Sequence, residues 1–349
     1  MEDQEFINRK ADHIRLALSA ESEAQGLSML DRVELTHDSL PDFNLSDVEI
    51  RSSFFGEPLH SPFFIAGMTA GHDDAEALND RLARYAAERE WVFGVGSQRR
   101  DIDSQYQDSF TLGLKKRYPT LKLVANLGIS QLIELNSKGS ILKLLSLVDR
   151  MQANALAIHL NPLQEAIQKE GTPNFKGALD ALESLKQELT IPLILKETGS
   201  GVSVPFLKRV KALDFNAIDV SGLGGTHWGR IEGFRAPADS ITGQLGETFK
   251  SWGVSTVHSI LNSVEVLEDT QTEIWASGGI RTGLDAAKCF AMGAQRAGFA
   301  RPALEAALKG DKELEQWMQT KEEELKVALF CTNSRNLTEL NVSKIEGNL

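Results

Sequence analysis

The sequence predicts a single α/β domain folded as a (β/α)8 barrel, with an N-terminal extension and a C-terminal helical tail. Eight short apolar runs of strand type recur between residues 61 and 299, amphipathic helical segments separate most of them, and polar or glycine-rich loops follow nearly every run. Continuous apolar strands that alternate with helices are typical of a parallel sheet that is buried on both faces. An open doubly wound sheet is the alternative, but it would place its ligand at one strand crossover instead of around a ring.

The predicted elements follow one another at short intervals. The strands share a short apolar run that ends near a polar residue or a glycine, and they cover residues 61–66, 91–95, 121–125, 155–158, 192–195, 217–220, 274–276 and 297–299. The helices have apolar residues at helical spacing, and they cover about 73–90, 140–151, 175–189, 204–212, 254–267, 284–292 and 303–309. Asp73 or Asp74 is expected to cap the first helix. Residues 8–18 show only a poor helical stripe.

The chain is expected to divide at about residue 60. Residues 1–60 lack the alternation of strands and helices, and we expect them to form a segment that covers the barrel mouth. Residues 61–349 are expected to form the barrel with its tail, in which residues 311–349 predict a charged helix and a capping segment.

Composition excludes several classes of protein. The 349 residues are 42% hydrophobic and 25% charged, which is ordinary for a globular protein, and the net charge of −12 argues against non-specific nucleic-acid binding. Two distant cysteines, Cys289 and Cys331, provide neither a disulfide framework nor zinc-ligand spacing, which favours a reducing compartment. We find no signal peptide and no apolar run long enough to cross a bilayer, so a cytoplasmic protein that binds no membrane is expected.

Three loops in the C-terminal half indicate a phosphate site. They lie at residues 221–226, 277–283 and 300–301, and each follows a predicted strand with glycines, hydroxyl groups or arginine. Glycine allows the backbone to approach a ligand closely, and barrels of this kind bind phosphate near the loops after strands seven and eight. One such loop could be only a tight turn, but the three together favour phosphate binding.

Lys196 ends the fifth predicted strand. A lysine there could form a Schiff base, could keep an anionic cofactor electron-rich, or could simply pair with Glu197 or another carboxylate at the mouth. The sequence leaves these alternatives open.

The densest polar cluster is His159, Asn161, Gln164 and Glu165. Period-two spacing puts the first two on one face as the fourth strand ends. A carboxylate near amide and imidazole donors suits Mg²⁺ bridged to a substrate phosphate. A structural histidine and an acid that merely begins a helix are the alternatives. Basic side chains that could grip a diphosphate are supplied by Arg9-Lys10 and by Arg99, if the N-terminal segment folds over the mouth.

In order along the chain, these stretches resemble the type 2, FMN-dependent isopentenyl-diphosphate delta-isomerase family. The resemblance covers nearly the whole chain, and its segments are Arg9-Lys10 with Asp12-His13-Ile14, Met68-Thr69, Gly96-Ser97-Gln98, Asn126-Leu127-Gly128, His159-Leu160-Asn161, Gln164-Glu165, Lys196-Glu197 with Gly199 and Gly201, Asp219 to Gly222 with Gly224-Gly225-Thr226, Ser277 to Arg281 and Ala300-Arg301. Each segment alone is weak, whereas the ordered set is specific.

The resemblance implies a cofactor site and a substrate site at one barrel mouth. It implies that FMN is bound by Met68, Thr69, Ala70, Ser97, Asn126, Lys196, Ser221, Thr226, Gly278, Gly279, Arg281, Ala300 and Arg301. It implies that a small allylic or homoallylic diphosphate is bound by Arg9, Lys10, Ser97, Gln98, Arg99, His159, Asn161 and Gln164, with Thr198 as a further candidate, and that Mg²⁺ is held by Glu165.

The implied reaction is the redox-neutral interconversion of isopentenyl and dimethylallyl diphosphate in isoprenoid biosynthesis. Reduced FMN would be the acid/base, assisted by His159 and Gln164 as catalytic residues, and NADPH would keep the flavin reduced. The family resemblance also implies homo-oligomers, as tetramers or octamers.

Two loops depart from the family pattern, at residues 67–71 and 226–230. Ala70 stands where a glycine is usual, and His227 is expected as an extra titratable group near the flavin or as an exposed side chain.

Three other functions are alternatives to the isomerase. The first alternative is an FMN-dependent 2-hydroxy-acid oxidase or dehydrogenase. An inosine-monophosphate-dehydrogenase-like enzyme would need a nucleophilic cysteine at the mouth, where neither Cys289 nor Cys331 is expected. A non-enzymatic flavin- or phosphate-binding protein would not need Arg9, Gln164 and Glu165.

Overall fold

The computed structural model of the chain describes residues 13, 15–68, 73–102 and 110–347, without the side chains of 73–75. The strands are β1 (Ser52–Phe54), β2 (Glu57–Leu59), β3 (Phe63–Ile65), β4 (Val92–Gly94), β5 (Lys122–Gly128), β6 (Ala155–Leu160), β7 (Leu193–Glu197), β8 (Ala217–Asp219), β9 (Glu273–Ala276) and β10 (Arg296–Phe299). The helices are α1 (Asp73–Glu88), α2 (Leu114–Arg117), α3 (Ile129–Ser137), α4 (Ile141–Met151), α5 (Pro162–Ile167), α6 (Ala178–Glu188), α7 (Val204–Val210), α8 (Trp228–Phe234), α9 (Ile241–Thr248), α10 (Thr256–Leu267), α11 (Gly283–Ala291), α12 (Arg301–Lys309) and α13 (Asp311–Cys331).

Strands β3 to β10 close into a parallel eight-stranded barrel, which confirms the predicted (β/α)8 fold. Each strand pairs with its neighbour in the chain, and β10 closes the ring against β3 with Ala297 opposite Phe63. The predicted strand positions agree with the observed ones within a few residues at each end. Within the described residues, no helix is long and apolar enough to span a bilayer.

Successive side chains along each barrel strand point to opposite faces of the sheet, so the strands separate two apolar cores. Phe63 and Ile65 face outward into the large core between strands and helices. Phe64 faces the barrel interior, where it packs with Trp275 and with small side chains such as Ala157. These residues fill the barrel below its mouth and give the ends of the strands a rigid base.

A hairpin that the sequence analysis did not predict covers the N-terminal end of the barrel. Strands β1 and β2 pair antiparallel, and Phe55 stacks on Trp275 with ring centroids 5.7 Å apart. Arg296, at the start of β10, donates to the carbonyl of Ser53. Part of the N-terminal segment therefore lies at the end opposite the mouth.

Helices α8 and α9 lie between β8 and α10, where the sequence predicted neither a helix nor a strand. Four glycines dilute the helical pattern there, and two of them are needed for packing. A Cβ on Gly233 would lie 2.7 Å from the Cα of Gly246, so the two helix backbones can meet only because both residues are glycine. The charged helix predicted in the tail is confirmed as α13. The residues after it contact the N-terminal segment, where the backbone amide of Glu49 donates to the carbonyl of Arg335 at 2.8 Å.

Candidate active site

A cavity with about 1070 Å³ of empty space opens at the C-terminal ends of the barrel strands. The predicted cofactor-binding residues in its wall are Met68, Lys196, Ser221, Thr226, Gly278, Gly279, Arg281, Ala300 and Arg301, and Thr198 lines it too. His13, Glu23 and Trp228 also line the wall, although none of them was a predicted site residue. The predicted residues Arg9, Lys10, Thr69 and Ala70 lie outside the described residues.

The loops after β8 and β9 form a cradle of backbone groups at one side of this cavity. Gly278 has φ +97° and Gly279 has φ +75°, conformations that glycine adopts without strain. A Cβ on Gly225 would lie 2.6 Å from the amide nitrogen of Gly279, and one on Gly278 would overlap the carbonyl of Gly222. The two loops can approach this closely only because glycine occupies these positions.

Two arginines complete the cradle. Arg281 donates to the carbonyls of Gly279 at 2.8 Å and Gly224 at 3.0 Å, and Arg301 bonds Glu305 at 2.7 Å. The carboxylate of Glu23 lies 3.6 Å from Arg281 and 3.4 Å from Arg301. Close backbone amides, hydroxyl groups and two guanidinium groups form a donor set that fits the phosphate of FMN.

Lys196 forms a buried ion pair with Asp219 and not with its neighbour Glu197. The two side chains of this dipeptide point to opposite faces of β7. Glu197 is buried and accepts from the backbone amides of residues 198–201. Burial raises the pKa of the Glu197 carboxyl group to about 7, against the opposing effect of the four amides. Glu197 therefore shapes the loop that carries Thr198 into the cavity wall.

The end of β6 and helix α5 bring together the predicted polar cluster. His159 Nδ1 lies 2.8 Å from Asn126 Oδ1, and the amide of Asn161 donates to Gln164 at 3.1 Å and Glu165 at 3.0 Å. The second carboxylate oxygen of Glu165 accepts from the Thr172 amide at 2.6 Å. The Oδ1 atom of Asn161 is buried and has no hydrogen-bond partner among the described residues. The cluster thus presents a carboxylate and an unsatisfied acceptor, which are suitable oxygen ligands for a hard cation that also binds a phosphate.

Glu232 is a site residue that the sequence analysis missed. Its buried carboxylate accepts from Gln164 at 2.9 Å and Arg235 at 2.6 Å and lies 3.0 Å from His13 Nε2. Burial alone would raise the pKa of Glu232, but the contacts with His13, Gln164 and Arg235 together hold it below its usual value. The available signal was weak, because Glu232 and Arg235 look like an ordinary surface pair three residues apart on a helix.

Gln98 and Arg99 lie in different surroundings. Gln98 is buried. Its side-chain oxygen accepts from the backbone amide of Asn126 at 3.2 Å, and its side-chain nitrogen donates to Asp101 and Thr111 at 3.2 Å each. Its described contacts therefore hold the loop after β4 against β5. Arg99 is exposed, Ser97 is half-buried, and neither lines the cavity described above.

His227 is neither exposed nor part of the cavity wall. It is fully buried, its Nδ1 caps α8 by accepting from Arg230 N at 3.3 Å, and its Nε2 donates to Trp252 O at 3.1 Å. Burial lowers the pKa of His227, so the ring stays neutral near pH 7.

The described residues contain no group of three or more His, Cys, Asp or Glu side chains that could hold a metal ion. Glu165 is therefore not part of a larger cluster of such side chains within the described residues.

Comparisons with known proteins agree with this geometry. A family model described as FMN-dependent dehydrogenase matches residues 136–347. The flavin-binding domain of baker's yeast flavocytochrome b2 superposes with a TM-score of 0.68 at 15% identity, covering 94% of this chain and 79% of that one. A mandelate oxidase variant superposes with a TM-score of 0.63 at 16% identity, covering 97% of this chain and 92% of that one. At such identities these structures establish the fold alone.

More similar relatives are named isopentenyl-diphosphate delta-isomerase. The protein of Bdellovibrio bacteriovorus is 46% identical over 345 residues, covering 98% of each chain. That of Legionella pneumophila strain Paris is 45% identical over 336 residues, covering 96% of each. That of Nostoc sp. is 38% identical over 337 residues, covering 96% of this chain and 94% of that protein.

The closed barrel and the family match define the class as an FMN-binding barrel of the FMN-dependent dehydrogenase type. Within that class, near-full-length identity of 38–46% decides the family. The chain belongs to the isopentenyl-diphosphate delta-isomerase family and is an enzyme.

Proposed function

We propose that this enzyme interconverts isopentenyl diphosphate and dimethylallyl diphosphate by a 1,3-allylic proton rearrangement, in isoprenoid biosynthesis. The observation that supports the proposal most directly is the contact between Gln164 and Glu232 beside the cavity. Glu232 also lies 3.0 Å from His13, which lines the cavity, so this contact connects the polar cluster at the end of β6 to the cavity wall. The names of the relatives at 38–46% identity support the same substrate pair.

The cradle and Lys196 would hold FMN at the mouth. Arg281, Arg301 and the glycine amides suit its phosphate, and Lys196 lies on the cavity floor where a cation would stabilise an anionic ring. When bound in the reduced form, FMN would supply the acid/base chemistry that the alkene requires, with NADPH as reductant. Among the described residues, the cavity wall offers no pair of side chains that matches this task as directly.

The chain's own residues would bind and orient the diphosphate. Glu165 and the diphosphate would share Mg²⁺, and the Asn161 acceptor lies next to that carboxylate. The predicted basic residues Arg9, Lys10 and Arg99 would balance the remaining negative charge. His159, held by Asn126, would donate to a phosphate oxygen.

Gln164 would orient the reacting end of the substrate. Its amide has a fixed direction, because its oxygen accepts from Asn161 and its nitrogen donates to Glu232. A carboxylate can only accept, so the nitrogen must face Glu232. A fixed amide dipole beside an alkene favours one direction of charge development during proton transfer.

The test is an anaerobic assay in deuterated water. The protein, FMN, NADPH, Mg²⁺ and isopentenyl diphosphate are followed by proton NMR, with one reaction lacking NADPH and one containing EDTA. We expect dimethylallyl diphosphate, with deuterium incorporated, only in the complete reaction. Absence of product with FMN bound and reducible would refute the proposal.

The second candidate is an FMN-dependent 2-hydroxy-acid oxidase or dehydrogenase. The fold shared with flavocytochrome b2 and mandelate oxidase favours it, as does the match to the FMN-dependent dehydrogenase family model. Anaerobic bleaching of bound oxidised FMN by lactate or mandelate, without any metal, would support this alternative. We expect no bleaching.

A further inference from the structure

Asp219 lies where three cavity-lining residues meet. It is the last residue of β8, it is 2% exposed, and in the barrel register it stands opposite Lys196 of β7. One carboxylate oxygen accepts from the Lys196 ammonium. The other accepts from the Ser277 hydroxyl at 2.5 Å and from the Ser221 amide at 3.3 Å. One side chain thus connects the ends of three neighbouring strands.

We infer that Asp219 is a positioning residue that fixes Lys196 and Ser277 on the floor of the cavity and sets the charge that Lys196 presents to the flavin. The inference rests on the proposed binding of FMN but not on the proposed isomerisation. Asp219 acts through Lys196, whose Nζ atom it holds.

Only a carboxylate meets the needs of all three donors. The donors approach both oxygens, and an ionised carboxylate accepts at both. Asparagine has nearly the same shape but a single acceptor oxygen. Its NH2 group would face either the lysine ammonium, which it would repel, or the Ser277 and Ser221 side, where the Ser221 amide would lose its acceptor. Asp219→Asn therefore removes positioning while it preserves side-chain volume.

The charge of the pair matters because both members are buried. With Asp219 ionised, the ion pair is neutral as a unit, so the flavin would experience a dipole and not a full positive charge. Without the carboxylate, the ammonium would be an uncompensated cation, whose interaction with an anion falls off slowly in a poorly solvated cavity. The carboxylate thus moderates the stabilisation of a reduced, anionic flavin.

Ser221 gives a second reason for a residue that accepts at this position. It adopts φ +36°, which is uncommon for a residue other than glycine. The bond from its amide to Asp219, two residues earlier, closes a local turn that supports this conformation. Because this turn could make Asp219 important for folding alone, the experiment must separate folding from an effect on Lys196.

A double-mutant cycle makes that separation. Four proteins are reconstituted with FMN: wild type, Asp219→Asn, Lys196→Met and the double variant. The midpoint potential of bound FMN is measured by anaerobic equilibration with a reference dye, at FMN concentrations that saturate each protein. We expect Asp219→Asn to raise the reduced-to-oxidised ratio at a given potential about tenfold when Lys196 is present. In the Lys196→Met background, we expect a change of less than about twofold.

Equal shifts in both backgrounds, or no shift in either, would overturn the inference. If Asp219→Asn fails to fold, the double variant becomes the test: restored folding and FMN binding support an action through Lys196, because the methionine removes the unpaired ammonium. Failure to fold in both backgrounds means a purely structural role and overturns the inference. Because no diphosphate is used, these results do not depend on whether the enzyme isomerises isopentenyl diphosphate.

Discussion

The carboxylate of Glu232 accepts a hydrogen bond from the Gln164 side-chain amide at 2.9 Å, across 68 residues of sequence. Helix α8 supplies the acid and helix α5 the amide, so the contact depends on how two short helices pack at the barrel mouth. His13 and Arg235 contact the same carboxylate, which remains ionised near neutral pH. The orientation of Gln164 is therefore determined by a residue outside its own loop.

Replacement of Glu232 by glutamine should reduce kcat for isopentenyl diphosphate by about 10- to 100-fold, because one charge-assisted hydrogen bond to Gln164 is lost. The side-chain amide of the new glutamine can donate as well as accept. It would therefore no longer fix which end of the Gln164 amide faces it. Steady-state kinetics gives kcat and KM separately. The matched control is Glu170→Gln, which removes the exposed partner of Arg235 and should leave kcat within about twofold. Equal losses in both variants would contradict a specific role for Glu232.

Replacement of Glu165 by glutamine should abolish Mg²⁺-dependent turnover and leave FMN bound. The variant keeps an oxygen for the Thr172 amide but loses the charge that a divalent cation requires. Turnover is measured against Mg²⁺ concentration, and bound flavin is measured by absorbance after gel filtration. Glu183→Gln, on the exposed face of α6, removes the same charge and should behave as wild type. Normal turnover by Glu165→Gln would refute the metal role.

The barrel could be predicted because its strands leave a local signal. A strand such as Leu193–Glu197 is buried on both faces, so its apolar run is continuous and its end is marked by charged residues. Hairpin β1–β2 could not be predicted, because its strands have three residues each and contain a proline and exposed positions. Helices α8 and α9 were missed because glycines required by tertiary packing look like loop residues in the sequence.

The sequence predicted which loops form the candidate site but not which side chains contact one another there. The glycine-rich loops and the His159 to Glu165 cluster have recognisable composition. The partner of Lys196 depends on register, since Asp219 of the next strand lies opposite it while Glu197 faces away. Glu232 resembles a surface acid until helix packing buries it. Contacts of this kind are set by three-dimensional packing and have no local pattern.

Gly278→Ala should prevent tight binding of FMN. Its Cβ would overlap the carbonyl of Gly222 and would need a φ of +97°, so the two cradle loops would have to separate. The matched control is Gly139→Ala, at φ +60° with open space around the added methyl group. It carries the cost of backbone strain, about 1 kcal/mol, without the overlap. Flavin fluorescence titration should give an FMN Kd raised at least tenfold for Gly278→Ala alone.

Phe54→Ala should destabilise the fold by about 3 kcal/mol and leave the FMN affinity unchanged. The ring is buried at the closed end of the barrel, with its centroid 6.1 Å from that of Trp275, on the side opposite the cradle. Leu40→Ala, at an exposed position, should change stability by less than about 0.5 kcal/mol. Chemical denaturation and flavin titration measure the two properties independently. A large loss of FMN affinity would show that the hairpin influences the mouth.

Glu197 should make the wild-type protein less stable, relative to Glu197→Gln, as the pH rises from 5 to 7.5. The pKa of this carboxyl group is about 7 in the folded chain and 4.5 as its ordinary value. Between those values the folded chain holds a proton that the unfolded chain has lost, so stability decreases with rising pH through this window. Glutamine resembles the protonated acid and has no such dependence. The difference in free energy of unfolding should therefore shift against wild type by up to about 3 kcal/mol, measured by denaturant titration at both pH values. A difference that stays constant would mean that the four backbone amides keep Glu197 ionised throughout, and the variant would then be less stable at every pH.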